Sequence, residues 1–543
     1  MIAEHDLNRV LIASCTPRTH EPLFQDTIRE AGLNPYLFEF VNIRDQCSWV
    51  HMQQKEEATK KAKELLRMGI HKVALARPIT VSKSEVNSKG LIIGGGVSGL
   101  TSALSLARQG FEVYLVEKES VLGGQLNHIY FSLNKNDPQK LLKRLIEETM
   151  LDEKIHVIKN AEIEDVSGYV GNFKTTVRTS DTDALEALKE GSEETQDESE
   201  QKLNKETEVL IESEKPSGNN GTAQTVELEH GIIIVATGAD EYMPKEYCYG
   251  KAEKVITQRS LEEKLADGSW MPEDNEFVVM IQCVGSRNDE HPYCSRICCY
   301  QAIKNALKVK ELNPKTDIFV LYRDIRTYGF REIYYREARE AGVIFIRYDE
   351  KNKPDVNLEN GKLSVRVKDP VLQEELILSP DLLVLSAGII AGENEEVSKI
   401  LKVPLNEDRF FLEAHVKLRP LDFANDGIFL CGLSHSPKVI EESIVQAQGA
   451  AGRAATILSK KYIEAKGNIA EVNERMCSGC ELCVSVCPYD ARVMDEETGT
   501  SKVIDVLCQG CGACCVACLN NATRQKGFEK KQEVCKIDAV LGF

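Results

Sequence analysis

Residues 91–100 read LIIGGGVSGL: an apolar run, then Gly94-x-Gly96-x-x-Gly99, then the start of a helical pattern. The first glycine permits a tight turn, the second lets the backbone approach a pyrophosphate, and the third lets the helix pack against the strand. The free N–H groups and dipole at the helix start then favour an anion. A second apolar run, EVYLVE at 112–117, ends in Glu117, at the spacing where an acid accepts the ribose hydroxyls of a dinucleotide. A chance glycine turn is the plain alternative. Strand, helix and acid each standing in the expected place argue against it.

The whole chain has 543 residues, enough for three or four domains of ordinary size. Hydrophobic residues make up 42% and charged residues 28%, as in a globular protein, and the net charge of −18 argues against a nucleic-acid partner. No apolar run is long enough to span a bilayer, and MIAEHDLNRVLIASC lacks the basic flank and apolar core of a signal peptide. The expectation is a cytoplasmic protein without a membrane span, so the tight C-x-x-C clusters among the 18 cysteines read as metal sites rather than disulfides.

Periodicity divides the chain into a partial N-terminal α/β domain (1–85), a central domain (86–467) and a cysteine-rich C-terminal domain with its tail (468–543). In the first, RVLIAS (9–14) and 36–41 read as strands, and 21–32 and 53–69 as helices. The central domain is interrupted by a polar insertion at 181–226 and by a subdomain at about 270–390, where FVVMIQ, DIFVLY, VIFIRY and LLVLSAG read as strands. No solenoid-type repeat is visible, although the two C-terminal cysteine runs repeat one another.

After Glu117 comes Lys118-Glu-Ser-Val-Leu-Gly-Gly124-Gln125, a further glycine turn, and much later GIIIVATGAD with Thr237 and Gly238. These features in this order resemble the glutathione-reductase and thioredoxin-reductase flavoproteins, and the resemblance implies FAD held in a Rossmann-type domain. That family ends a late strand in Gly-Asp, whose acid contacts the ribityl chain. Here Cys431-Gly432-Leu433 stands instead, without the acid. The following helix, with Gln446, Gly449 and Ala450, resembles the one whose N-terminus faces the flavin pyrimidine. Thioredoxin reductases also carry a second glycine fingerprint for NADPH. After FVVMIQ this chain has Cys283-Val-Gly-Ser-Arg, so no nicotinamide site is expected.

Cys477-x2-Cys480-x2-Cys483-x3-Cys487-Pro488 matches the bacterial ferredoxin run. Cys508-x2-Cys511-x2-Cys514-x3-Cys518 repeats the spacing, with Leu519 in place of proline. The fourth cysteine of such a run ligates the other cluster. Cys477, Cys480, Cys483 and Cys518 are therefore assigned to one 4Fe–4S cluster, and Cys508, Cys511, Cys514 and Cys487 to the other. Zinc prefers knuckle pairs at longer separation. Cys515 falls at a non-ligand position and reads as packing. Cys283-x10-Cys294-x3-Cys298-Cys299 supplies four more thiols at spacing that suits a cluster, buried small residues or a redox pair.

Glycine fingerprint, MIQCVGSRNDEHPYCSRICCYQAIKNALKVK, LYRDIRTYG and double ferredoxin run together resemble the flavin-containing A subunit of heterodisulfide reductase, from ASCTPR near the N-terminus to the second run. The resemblance implies FAD-binding thioredoxin-reductase-like Rossmann domains followed by an α+β double 4Fe–4S ferredoxin-like domain. It also implies a third cluster on Cys283, Cys294, Cys298 and Cys299. The implied role is an electron-transfer, electron-bifurcating subunit of a hetero-oligomer. Its implied partners are heterodisulfide reductase B- and C-like chains, hydrogenase- or formate dehydrogenase-like subunits, and ferredoxin. Against the family pattern, the usual cysteine-bearing amino-terminal segment is missing, leaving Cys15 and Cys47. A ferredoxin insertion is replaced by the stretch at 181–226, and Cys535 stands in an unfamiliar tail. Cys15 and Cys47 alone cannot supply four ligands; they are vestigial or completed by another chain. The alternative is a stand-alone flavoprotein oxidoreductase; a disulfide reductase of that kind needs a C-x-x-C or C-x4-C beside the flavin turn, whereas here Cys248 stands alone, which weakens it. A non-catalytic electron-wiring chain is the third possibility.

The missing second fingerprint yields a test. NADH or NADPH alone should bleach the flavin of the anaerobic protein slowly, as followed by visible absorbance; rapid bleaching without partner chains would contradict the reading.

Overall fold

The computed structural model describes residues 1–182, 184, 223–359 and 361–542. They fall into two compact units, one of residues 86–461 and one of residues 1–85 with 462–543. Most of the polar insertion at 181–226 lies outside the described residues.

The larger unit is built from two five-stranded sheets. The first has the order Ile428–Leu430, Ile232–Val235, Gly90–Ile93, Val113–Val116, Ile155–Ile158, with every neighbouring pair parallel. Parallel strands need crossover helices, which cover the sheet, so these strands are buried on both faces and read as unbroken apolar runs. Helices Val97–Ala107, Pro138–Leu151 and Ile440–Leu458 cover one face through Leu104, Leu142 and Ala447. The antiparallel meander of Ala161–Tyr169, Asn172–Thr179 and Gln224–His230 covers the other through Phe173 and Val177.

The second sheet has the order Val255–Thr257, Leu382–Ala387, Phe277–Val284, Asp317–Tyr322, Ile344–Arg347, again parallel throughout. It too has helices on one face, including Gln258–Asp267 and Cys298–Leu312, and a three-stranded antiparallel meander on the other. The chain passes between the halves along one antiparallel pair, Ala239–Glu241 with Ile389–Ala391. The two halves thus share an architecture that no sequence repeat announces, because layer order is duplicated rather than side chains.

In the smaller unit, strands Val10–Ser14 and Phe38–Asn42 pair in parallel around the crossover helix Pro17–Glu30. Helix Lys55–Ala74 packs on helix Lys530–Leu541, and strand Lys83–Glu85 pairs with Tyr462–Glu464. The ferredoxin segment forms two antiparallel pairs, Ala470–Val472 with Thr523–Gln525 and Arg492–Met494 with Ser501–Val503. It also contains the short helices Leu482–Ser485 and Ala513–Ala517. Among the described residues no helix is long and apolar enough to cross a membrane.

One buried ion pair ties the second half to the first. Lys304 Nζ lies 2.6 Å from Glu262 Oε2, with the side chains 4% and 0% exposed. Glu262 Oε1 also accepts from the backbone N–H groups of Tyr130 and Phe131 at 2.8 and 3.3 Å. Removing only the lysine would strand a buried carboxylate. Lys304→Met should cost about 3–5 kcal/mol in chemical denaturation, and adding Glu262→Gln should recover much of it. Equal stability of Lys304→Met and the native chain would show that the pair carries no such weight.

Candidate cofactor sites

The C-terminal ends of the first sheet's strands open into a cavity of about 1070 Å³, comparable with the upper end of the roughly 300–1,000 Å³ that cofactor sites occupy. Its wall includes Gly94, Gly96, Glu117, Lys118, Gly124, Gln125, Thr237 and Gly238, so most of the residues singled out in the sequence line one space. Gly99, Gly432 and Gln446 do not line it. A Cβ on Gly99 would stand 1.8 Å from the Gly94 carbonyl oxygen, so this glycine serves helix–strand packing. Gln446 Oε1 accepts from the Gly432 N–H at 2.9 Å and its amide nitrogen meets His435 Nδ1 at 2.8 Å, bracing the wall from behind.

The two glycine turns lie back to back. Gly96 and Gly123 form a parallel bridge, Gly123 and Gly124 both have positive φ, and a Cβ on Gly124 would lie 3.2 Å from the Gly96 Cα. The strand Val113–Val116 delivers Glu117 beside them. One of its oxygens accepts from Gly95 N–H at 2.5 Å and the other from Glu119 N–H at 2.8 Å, leaving lone pairs on both for a ligand hydroxyl. Gln125 donates to Ala239 O at 2.8 Å, while its own oxygen accepts from Arg259 at 3.4 Å. The first turn of helix Ile440–Leu458 reaches the wall through Ile440, Glu441 and Ser443. A cradle closed to Cβ atoms, a carboxylate at the ribose position and a helix start opening on the cavity fit a flavin dinucleotide.

Several wall residues carried no sequence signal. Arg259, Glu241, Lys304 and Lys438 all line the cavity. Burial pushes the Glu241 carboxyl up to about 7, with Arg259 opposing and Glu263 adding.

The cysteines Cys283, Cys294, Cys298 and Cys299 stand at the matching edge of the second sheet. Cys298 and Cys299 open the helix Cys298–Leu312 and are 4% and 5% exposed. Burial raises both thiols, Cys299 to about 12, and both also feel Cys283 and Cys294, so the four lie within electrostatic reach of one another. Such thiols become thiolates only beside concentrated positive charge, which an iron–sulfur cluster would supply. The end of strand Phe277–Val284 and the loop between it and the helix hold Cys283, Arg287 and Arg296 at positive φ, an uncommon conformation for side-chain-bearing residues that persists where surroundings enforce it. Arg287 reaches Cys283 Sγ at 4.0 Å, and the backbone N–H of Arg296 reaches Cys294 Sγ at 3.4 Å.

In the smaller unit the two ferredoxin runs share a backbone shape: Gly479 and Gly510, then Glu481 and Gly512, all take positive φ. Cys483, Cys508 and Cys514 are buried, whereas Cys480 and Cys511 are exposed. One hollow is lined by Cys508, Cys511 and Cys514 together with Cys487 from the other run, and Cys515 also reaches it. Backbone N–H groups of Ala470 and Ala522 point at Cys508 and Cys518 sulfurs, at 3.5 and 3.2 Å. Cys47 is 2% exposed and its thiol donates to Ala58 O at 2.8 Å; Cys15 follows the strand Val10–Ser14. Among the described residues no three His, Cys, Asp or Glu side chains gather tightly enough for a single metal ion. A four-iron cube holds its thiolates farther apart than one ion does.

Known proteins align with these features. Residues 91–206 match the family of FAD dependent oxidoreductases and residues 470–493 the 4Fe-4S binding domain. The A subunit of the H2:CoB-CoM heterodisulfide,ferredoxin reductase of Methanothermobacter thermautotrophicus is 36% identical over 594 aligned residues, covering 99% of this chain and 89% of that one. An iron-sulfur A subunit of the CoB–CoM heterodisulfide reductase of Methanopyrus kandleri is 37% identical, with coverage of 92% and 84%. The A subunit of the Ferredoxin/F420H2-dependent CoB-CoM heterodisulfide reductase of Methanosarcina acetivorans is 35% identical, with coverage of 90% and 68%. A solved T. acidophilum thioredoxin reductase covers 68% of this chain and 97% of its own at 15% identity and a TM-score of 0.43, too distant to carry weight beside these relatives.

The hollow shared by Cys487 and the second run sets a test. If Cys487 belongs with Cys508, then Cys487→Ser, Cys508→Ser and the double variant should each lose the same four or so irons, and Cys487→Ser with Cys477→Ser about eight. Iron analysis decides; additive loss from Cys487→Ser and Cys508→Ser would break the crossed assignment.

Proposed function

We propose, for a chain that belongs to the family of heterodisulfide reductase A subunits, that it passes electrons between FAD in the large cavity and three 4Fe–4S clusters. In this reading it is the flavin subunit of a larger oxidoreductase, and its flavin splits electron pairs between two branches. The observation that carries the proposal is a single helix. Cys298–Leu312 begins with two of the cysteines assigned to a cluster, and its next turns, through Tyr300, Gln301 and Lys304, form the cavity wall. Electrons entering on either side meet the other centre within a few residues of continuous, packed helix.

The chain's own residues divide the work. Gly94, Gly96 and the turn at Gly124 admit the dinucleotide backbone, Glu117 holds a ribose, and Lys118, Gln125, Thr237 and Gly238 complete the wall. Cys283, Cys294, Cys298 and Cys299 hold one cluster. The ferredoxin cysteines hold two more, crossed between their runs. FAD supplies a centre that accepts electrons in pairs and releases them singly. For a two-electron couple about 30 mV corresponds to about 1.4 kcal/mol, so a downhill branch can offset an uphill one where one flavin couples both.

Relatives are named for reductases of the CoB–CoM heterodisulfide that also involve ferredoxin, hydrogen or F420H2. Electron donors and acceptors of that kind, with B- and C-type chains, are the partners we assign here. A cysteine set that must stay reduced to hold clusters suits the cytoplasm.

Iron and flavin analysis of the anaerobically purified protein tests the assignment. The expectation is one FAD and about twelve irons at four per cluster, falling by about four in Cys298→Ser, Cys299→Ser with the ferredoxin-type signals intact. Unchanged iron in that double variant would return these cysteines to a packing role.

A further inference from the structure

Lys438 is a buried cation on the cavity wall, and among the described residues no carboxylate forms an ion pair with it. Its side chain is 7% exposed, and its Nζ donates to three neutral oxygens: Gly432 O at 2.5 Å, Ser436 O at 2.7 Å and Ser436 Oγ at 3.2 Å. The carboxylates nearby form their hydrogen bonds with other groups, although Glu442 still attracts the ammonium from a distance. Glu442 bonds to Arg296 at 3.0 Å and to the Tyr328 hydroxyl at 2.8 Å, and Glu413 pairs with His435 at 3.0 Å. Lys304, on the same wall, shows the contrast, with a carboxylate at 2.6 Å. Buried charges in proteins are paired or meet a ligand that pairs them.

The surroundings say what kind of ligand group this is. Lys438 stands just before helix Ile440–Leu458, whose first turn opens on the cavity, so side-chain charge and helix dipole both favour an anion at this end. The other charged or titratable groups facing it are Arg296 from the cysteine loop, Glu442 from the helix, and Cys431 and His435 from the preceding loop. Arg296 adds positive charge, and Glu442 is held by it. Cys431 is wholly buried and its thiol is pushed up to about 12, so it stays neutral. Burial holds His435 below its ordinary value, and therefore neutral. Burial also pulls the Lys438 ammonium down to about 7, a cost that an anion at this end of the cavity would offset.

Building on the FAD reading above, we propose that Lys438 is a cationic anchor for the pyrimidine edge of the flavin ring, holding the two-electron-reduced flavin, negative at N1, more tightly than the oxidised form. A bound flavin that took up two electrons and one proton would carry one negative charge, which in this proposal would lie at the edge held by the ammonium. The sequence offers no flag for the residue, which lies in a short polar loop, SHSPK, between strand and helix.

The test uses the full-length chain, purified anaerobically with its clusters, as wild type, Lys438→Met, Lys438→Gln and Lys438→Arg. FAD content is measured first, then the flavin midpoint potential by spectroelectrochemistry across the neutral pH range. All four should retain FAD. Loss of the charge should weaken the preference for reduced over oxidised flavin about tenfold, which is about 30 mV for a two-electron couple. It should also raise by about one unit the pH at which reduction changes from two protons to one per electron pair, the same tenfold factor. Lys438→Arg should keep the native potential. Should Lys438→Met lose its flavin, the Gln and Arg variants carry the comparison. Equal potentials and pH profiles for the glutamine, arginine and native chains would overturn the anchor and leave the flavin site standing. A wild-type chain without FAD would overturn both.

Discussion

A carboxylate with no exposed surface, Glu262, sits where three segments of the larger unit converge. It receives the ammonium of Lys304 from the helix that starts with Cys298 and Cys299, and the N–H groups of Tyr130 and Phe131 from the stretch that follows the flavin turn. Its own backbone belongs to helix Gln258–Asp267. A charge in such a place is tolerated only when its partners are held in fixed geometry, so satisfying it also fixes the cysteine helix against the cavity wall. Both candidate redox sites of this unit inherit their relative placement from that junction.

The second half of the unit repeats a dinucleotide-binding architecture with cysteines at the start of its crossover helix. Its parallel sheet, crossover helices and meander repeat those of the first half, and the helix after strand Phe277–Val284 starts where a dinucleotide phosphate would bind. Glycines that would let a backbone approach a phosphate are replaced there by cysteines. The dipole of a helix start favours thiolate as it favours phosphate, which explains why cysteines can occupy the position without a change of fold.

What could be read from the sequence was local. Gly94, Gly96 and Gly99 announce themselves because a Cβ at Gly99 would collide with the backbone of Gly94, and the ferredoxin cysteines because all ligands of a run fall within one turn-rich segment. The strands were legible because parallel sheets bury both faces. Residues whose role depends on distant partners were silent. Lys304 meets a carboxylate 42 residues away, and Lys438 acquires meaning only from the cavity it faces. The smaller unit was hidden for the same reason. No local pattern foretells that the Tyr36 hydroxyl accepts from the Gly467 N–H at 2.7 Å, or that the Leu75 carbonyl accepts from Gln532. Element ends shifted by a few residues, as with helix Lys55–Ala74, which runs on past Gly69 because Val73 is still buried.

The central claim is that flavin and clusters on this one chain form a connected electron system. Its most direct test is to mix the oxidised, cofactor-loaded chain anaerobically with one electron pair of dithionite per chain, and to follow flavin absorbance and cluster paramagnetic signals together in time. The expected result is a single distribution of electrons over flavin and clusters, reached quickly and set by their potentials whichever centre is reduced first. Clusters that stay reduced beside a flavin that stays oxidised, although their potentials favour transfer, would contradict it.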